Sequence, residues 1–241
     1  GPGPGDLTGA ILRQKPLSLS LIEIDDDMIP LLQERFWWEN INLYHQDVLK
    51  TNIQESEASP LVAGLCVHKN KTIQTPPYKL YGNIPYYITS PIIYHMLYEI
   101  DYAPISMVIT MQKEVADRIL ARDNKHSVLS LTCQLMADIH RVCDISPNNF
   151  VPAPKVWSTC LEFNIKNNDS RESNKKLLQL IKAGFSQKRK KLLSNLTSNN
   201  SLSKEKIIAI FQKVWISADI RAEDLSLEQW GEIGMEVSLL S

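Results

Sequence analysis

The chain has 241 residues, enough for one large core or for one core and a small second domain. Its formal net charge of −1 gives no bulk attraction to nucleic acid, and no apolar run approaches the ~18 residues of a membrane-spanning helix. Cys66, Cys133, Cys143 and Cys160 lie far apart with no CxxC pair, which argues against a structural zinc site and a disulfide framework and points to a reducing interior compartment.

The chain opens GPGPGDLTGAILRQ. Gly-Pro repeats fit a linker or cloning scar. They also fit a glycine turn, with Gly1, Gly3 and Gly5, that faces a nucleotide and runs straight into a helix. Residues 17–24, LSLSLIEI, alternate and then turn fully apolar, which predicts a strand. DDDMIPLLQERF predicts a helix capped by an aspartate, with Pro30 in its first turn. INLYH (41–45) predicts a short strand ending at Gln46-Asp47. Residues 51–77 are polar and carry Pro60, Pro76 and Pro77, so a long loop or a short helix plus loop is expected. Strands are expected at 79–82 and 105–111, and helices at 91–100, 112–121 and 127–137. HRVCDI (140–145) and STCLEFNI (158–165) predict two late strands joined by a Pro-rich loop, FVPAPK.

Strands alternating with helices predict a mostly parallel sheet covered on both faces. After NNDSRESN the period becomes helical throughout, in KKLLQLIKAGF, KRKKLLSNL, SKEKIIAIFQKVW and LSLEQWGEIGMEV. The expected fold class is therefore α/β with a Rossmann-like sheet (1–167) and a small all-helical domain (172–241).

Several residues carry chemistry in that frame. Doubly wound folds place a glycine turn after the first strand and an acid about 20 positions on, at the end of the second strand, to accept from ribose hydroxyls. Glu23 has that spacing from Gly1–Gly5, although a helix-capping role is open to it as well. Asp47 ends the next strand and suits either an adenine amine or an ordinary turn. The most informative stretch is GNIPYYITSPI (82–92). An adenine exocyclic amine is a weak nucleophile because its lone pair is delocalised into the ring. The Asn83 side-chain oxygen and the Ile84 carbonyl could accept its hydrogens, Pro85 stiffens the loop, and Tyr86 could stack on the extruded base. Phe150, in FVPAPKVWS, could supply the other side of that sandwich or simply close a hairpin. Residues 175–191 hold seven basic residues and no acid, and Lys188, Arg189, Lys190 and Lys191 beside Phe185 favour RNA phosphates over a merely solvated helix face.

Together GPGPGDLT, IEID, QDVL, GNIPYYITSPI, MQKEVADRI, FVPAPKVWS, GFSQKRKKLLSNL and IRAEDLSLEQW resemble the ribosomal small-subunit RNA adenine N6-dimethyltransferases. The resemblance implies a methyltransferase sheet with a C-terminal helical domain and S-adenosylmethionine as methyl donor. It implies methylation of two adjacent adenosines in small-subunit ribosomal RNA, within a pre-ribosomal particle, by a monomeric enzyme that is cytoplasmic, or organellar if a targeting segment precedes Gly1. It assigns Gly1, Gly3, Gly5, Glu23, Asp47 and Asn83 to the cofactor, and Asn83, Ile84, Pro85, Tyr86 and Phe150 to catalysis. No metal site is implied. The family pattern has an apolar strand ending in an acid before the glycine turn, so the expectation is of a sheet missing that strand. HSVLS (126–130) stands where the family shows Tyr-Gly-Arg-Leu-Ser, with Val128 in place of the arginine. Two other readings are open: a large-subunit methyltransferase of the antibiotic-resistance type, and a non-catalytic nucleic-acid-binding relative.

Overall fold

The computed structural model describes residues 1–55, 65–69, 71–122, 125–166, 171–199 and 203–239, without the side chains of 65, 66 and 199. The chain forms two compact units, residues 1–112 with 141–165, and residues 113–140 with 166–241.

In the first unit, helix α1 (Asp6–Leu12) leads to strand β1 (Leu19–Glu23), helix α2 (Met28–Phe36) and strand β2 (Ile41–His45). Strand β4 (Leu65–Lys69) joins them in a parallel sheet of order β1-β2-β4. Strands β3 (Ile53–Glu55) and β5 (Ile73–Thr75) form a separate parallel pair. A third sheet has the order β6-β7-β9-β8, from β6 (Lys79–Asn83), β7 (Ser106–Gln112), β8 (Ala137–Ile145), whose residues 137–140 belong to the second unit, and β9 (Ser158–Ile165). β6 and β7 run parallel, and β9 runs antiparallel to β7. Helix α3 (Thr89–Tyr94) connects β6 to β7 and continues into a π-helical turn, His95–Glu99.

The strands follow from burial. β2 is buried along Ile41–Tyr44, as expected of a parallel strand covered on both faces. It packs with Leu21, Ile29, Leu32 and Phe36 into one core cluster. Burying those side chains contributes roughly 1.5–3 kcal/mol each. β7 is likewise apolar, with Met107, Ile109 and Met111 fully buried.

The second unit contains helices α4 (Lys113–Ile119), α5 (Val128–Met136), α6 (Arg171–Gly184), α7 (Leu192–Asn199), α8 (Lys204–Lys213) and α9 (Leu227–Ser238). Its core includes Leu131, Ile181, Leu192, Phe211, Leu225 and Trp230. Ser127, Ser203 and Ser226 cap α5, α8 and α9 by accepting from backbone N–H groups of the first turn.

Three expectations are corrected. Residues 51–77 hold strands β3, β4 and β5 rather than loop or helix, with 56–64 and 70 outside the described residues. Strands of three residues with one buried side chain each, Ile53 and Ile73, are too short to show a period. Asp27 does not cap α2 with its carboxylate, because its own backbone is already helical (φ −75°, ψ −24°). The basic run does not continue a helix. α6 ends at Gly184, residues 186–191 form an exposed turn, and α7 starts at Leu192.

Candidate active site

The glycine turn and the end of β1 meet through Glu23. One carboxylate oxygen accepts the Gly3 N–H at 3.0 Å. The other accepts the N–H groups of Ile24 and Asp25, at 2.9 and 3.0 Å. The buried carboxylate therefore fixes the turn against the strand. Gly3 and Gly5 have φ of +51° and +92°, which glycine adopts without a Cβ clash. Gly5 also lies directly on the Phe36 ring of α2. From the outside, Arg35 donates to the Pro4 carbonyl at 2.7 Å and to Asp6 at 2.8 Å.

On the same sheet edge, the Asp47 carboxylate accepts the Leu49 N–H at 3.0 Å, so the turn role open to it in the sequence is realised. Asp47 also lines a polar pocket of about 260 Å³ with Gln46, Lys50, Asn52, Lys71 and Thr72. Gln46, which the sequence marks only as a strand end, holds this pocket together. It is buried, donates to Thr51 Oγ1 at 3.1 Å, and accepts the Lys71 N–H at 3.0 Å. Among the described residues no cluster of three or more His, Cys, Asp or Glu is placed to hold a metal ion.

Asn83 is the last residue of β6 and is exposed, opposite Thr110 of β7. Ile84 is buried and Pro85 exposed, and a single 3-10 turn, Tyr86–Ile88, leads into α3. The half-buried Tyr86 hydroxyl shares a 2.7 Å hydrogen bond with Ser158, the first residue of β9. Ser158 is fully buried and was not singled out in the sequence, where it stands far from the loop it braces. Phe150 is half-buried after a 3-10 turn (Pro147–Asn149), in the connection from β8 to β9.

In the second unit the basic turn is held from below by Asn195 of α7. Its amide donates to the carbonyls of Gly184 and Gln187, at 2.6 and 3.1 Å. Lys188, Arg189 and Lys190 are exposed, and Lys191 pairs with Asp219. Phe185 belongs to the packing rather than to this surface: its ring stacks on Trp230, with centroids 6.1 Å apart.

Comparison with known proteins places these features in a family. The family model described as ribosomal RNA adenine dimethylase matches residues 1–237. The chain belongs to that family. It is therefore a methyltransferase, and the family implies S-adenosylmethionine as methyl donor. The ribosomal RNA small subunit methyltransferase A of Dehalococcoides mccartyi strain BAV1 is 34% identical, over 98% of this chain and 76% of its own length. The protein of the same name from Mycoplasma mobile is 32% identical, over 94% of this chain and 81% of its own. A dimethyladenosine transferase from Plasmodium falciparum superposes with a TM-score of 0.75 at 21% identity, covering 99% of this chain and 88% of its own. The 23S rRNA methyltransferase ErmE does so with a TM-score of 0.66 at 20% identity, covering the same shares. These two likenesses support the Rossmann-like methyltransferase fold. Among the described residues no helix is long and apolar enough to cross a membrane.

Proposed function

We propose that this chain transfers methyl groups from S-adenosylmethionine to N6 of two adjacent adenosines in small-subunit ribosomal RNA. It does so in a pre-ribosomal particle, as a cytoplasmic monomer, with residues 1–167 carrying the chemistry and 172–241 contributing RNA contacts. The observation that carries this reading is the Asn83–Tyr86 loop at the end of β6, with Tyr86 braced on Ser158. The curated relatives with about a third of their residues in common carry the small-subunit name, whereas the large-subunit enzyme shares the fold. The intact Asn-Ile-Pro-Tyr loop favours an enzyme over a non-catalytic relative.

The donor set fits the cofactor. Gly1, Gly3 and Gly5 let backbone approach closely. Glu23 Oε2 accepts one N–H and has a lone pair left for a ribose hydroxyl. Asp47 stands at a polar pocket, where a carboxylate suits an amine. When bound, S-adenosylmethionine supplies an electrophilic methyl group. The protein's part is to present the nucleophile. The Asn83 side-chain oxygen and the Ile84 carbonyl accept hydrogens from the adenine amine and favour a pyramidal nitrogen, while Pro85 limits the movement of both. Tyr86 and Phe150 offer ring faces to the base. The deciding experiment incubates the protein and labelled methyl donor with undermethylated small subunits or with large subunits. Nucleoside mass spectrometry should find dimethyladenosine in the small-subunit RNA. Methylation confined to large-subunit RNA would overturn the reading.

Two expected results arise here. Glu23→Ala should weaken cofactor binding by roughly 1–3 kcal/mol, the scale of a lost charge-assisted hydrogen bond. It should also lower the melting temperature without cofactor, because three backbone N–H groups lose their acceptor. Calorimetry showing unchanged affinity would remove Glu23 from the ribose site. Neutralising Lys188, Arg189, Lys190 and Lys191 together should weaken RNA binding and flatten its dependence on salt, since fewer counterions are released. Cofactor affinity should stay as it was. An unaltered slope in a salt titration would mean that the turn does not touch phosphates.

A further inference from the structure

We propose that Cys143 and Cys160 are a thiol pair that closes to a reversible disulfide when the protein meets a small-molecule disulfide, tying together the two strands that carry the Phe150 loop. β8 ends at Ile145, β9 begins at Ser158, and the two are neighbours in one sheet. Thr159 Oγ1 donates to Asp144 Oδ1 at 2.7 Å. Each of these residues lies one position in from the loop, so the strands run antiparallel there, and we read the hydrogen bond as placing Asp144 across from Thr159. The next pair outward is Cys143 and Cys160, on the opposite face of the sheet because side chains alternate. Directly opposed residues in an antiparallel pair have Cα atoms about 4.5–5.5 Å apart. A disulfide spans about 4.4–6.8 Å between Cα atoms.

The environments of the two thiols differ in a useful way. Cys143 is exposed and Cys160 buried. Burial first, the neighbouring Cys143 second, and Glu162 push the Cys160 thiol above its ordinary pKa, while a hydrogen bond with Thr110 of β7 acts the other way. Cys133 is buried as well and belongs to the other compact unit.

The order of steps follows from exposure. With glutathione disulfide as oxidant, the Cys143 thiolate attacks one of its sulfurs. The glutathione S–S bond breaks, and one glutathione thiolate leaves and takes up a proton. The Cys160 thiolate then attacks Cys143 Sγ, the mixed disulfide breaks, and the second glutathione leaves. The two protein thiols lose two electrons and two protons, and one glutathione disulfide becomes two glutathione thiols. The second step needs the Cys160 thiolate, which burial disfavours. A transient glutathione adduct on Cys143 should therefore precede closure, and closure should quicken as pH rises. The crosslink does not depend on the proposed function. Its effect on catalysis does, because the closed loop holds Phe150 and ends beside Ser158, the partner of Tyr86.

The test is a non-reducing tryptic map of the full chain after incubation with glutathione disulfide. The peptide of residues 142–155 should appear joined to that of residues 156–166, and dithiothreitol should separate them. Cys160→Ser should stop at the glutathione adduct on Cys143, and Cys143→Ser should form neither adduct nor link. The wild-type map alone decides the matter if a variant does not fold. A stable glutathione adduct without the joined peptides, an unreactive Cys143, or preferential linkage through Cys66 or Cys133 would each overturn the proposal.

Discussion

Asn83→Ala is expected to slow methyl transfer by on the order of 100-fold while leaving RNA affinity nearly unchanged, the scale seen when one positioned hydrogen-bonding group of a reacting centre is removed. Asn83 closes β6 and is held in register against Thr110, so its side chain leaves the sheet from a fixed backbone. Removing the side chain should disturb little packing, because Asn83 is exposed. In the proposed reaction its amide oxygen would matter most as the adenine nitrogen becomes pyramidal. That contribution belongs to the transition state more than to the bound ground state, and its loss falls on the rate constant rather than on binding. Single-turnover kinetics and an RNA-binding titration on the same preparation separate the two quantities. Dimethyladenosine formed at the parental rate would remove Asn83 from the chemistry. The second methylation adds a constraint. A monomethylated nitrogen keeps one hydrogen, so Asn83 and the Ile84 carbonyl cannot both be satisfied, and the pocket must also hold the first methyl group.

The second large effect concerns stability. Gly5→Ala is expected to destabilise the first unit by about 2–5 kcal/mol, from a left-handed backbone cost of roughly 1–2 kcal/mol and overpacking of roughly 1–3 kcal/mol. Gly5 has a φ of +92°, and a Cβ there would lie 2.5 Å from the Phe36 ring and 3.2 Å from Leu32. Both neighbours belong to the core cluster of β1, α2 and β2 and have little room to retreat. Gly3→Ala is the internal control. Gly3 also has a positive φ, but nothing lies within 4 Å of a Cβ placed there. It should cost only the backbone term. Urea melts of the two variants measure the difference. Equal losses would mean that contact with Phe36 does not set the requirement for glycine at position 5.

The strands with several buried side chains were legible in the sequence. INLYH and STCLEFNI fold over the spans that their apolar pattern marks. β3 and β5 were not, because parallel pairing supplies what three residues of sequence cannot signal. Within the site, the spacing from the glycine turn to Glu23 was legible, but the use of its oxygens was not. Periodicity locates a carboxylate at a strand end and says nothing of which backbone N–H groups will turn toward it. Ser158 shows the same limit. A serine beside a tryptophan carries no mark of a tyrosine partner 72 positions earlier, and only the antiparallel return of β9 brings the two together. The basic run was visible as composition, yet its shape was not. Lys175, Lys176 and Lys182 lie in α6, which ends at Gly184, and the Lys188–Lys191 cluster lies in the exposed turn that follows.

That ending bears on the entropy of RNA binding. The Asn195 amide grips the carbonyls of Gly184 and Gln187, so the backbone leading into the turn is already ordered in the free protein. The long side chains of Lys188, Arg189 and Lys190 are exposed on that backbone. An arriving phosphate chain would have to immobilise rotamers, at roughly 0.5–1.5 kcal/mol for each long side chain, but not the main chain beneath them. A flexible basic tail with the same number of charges would lose backbone freedom as well. If the turn binds RNA as proposed, the buried asparagine would let a short run of cations hold it with less ordering cost than their charge count alone would suggest.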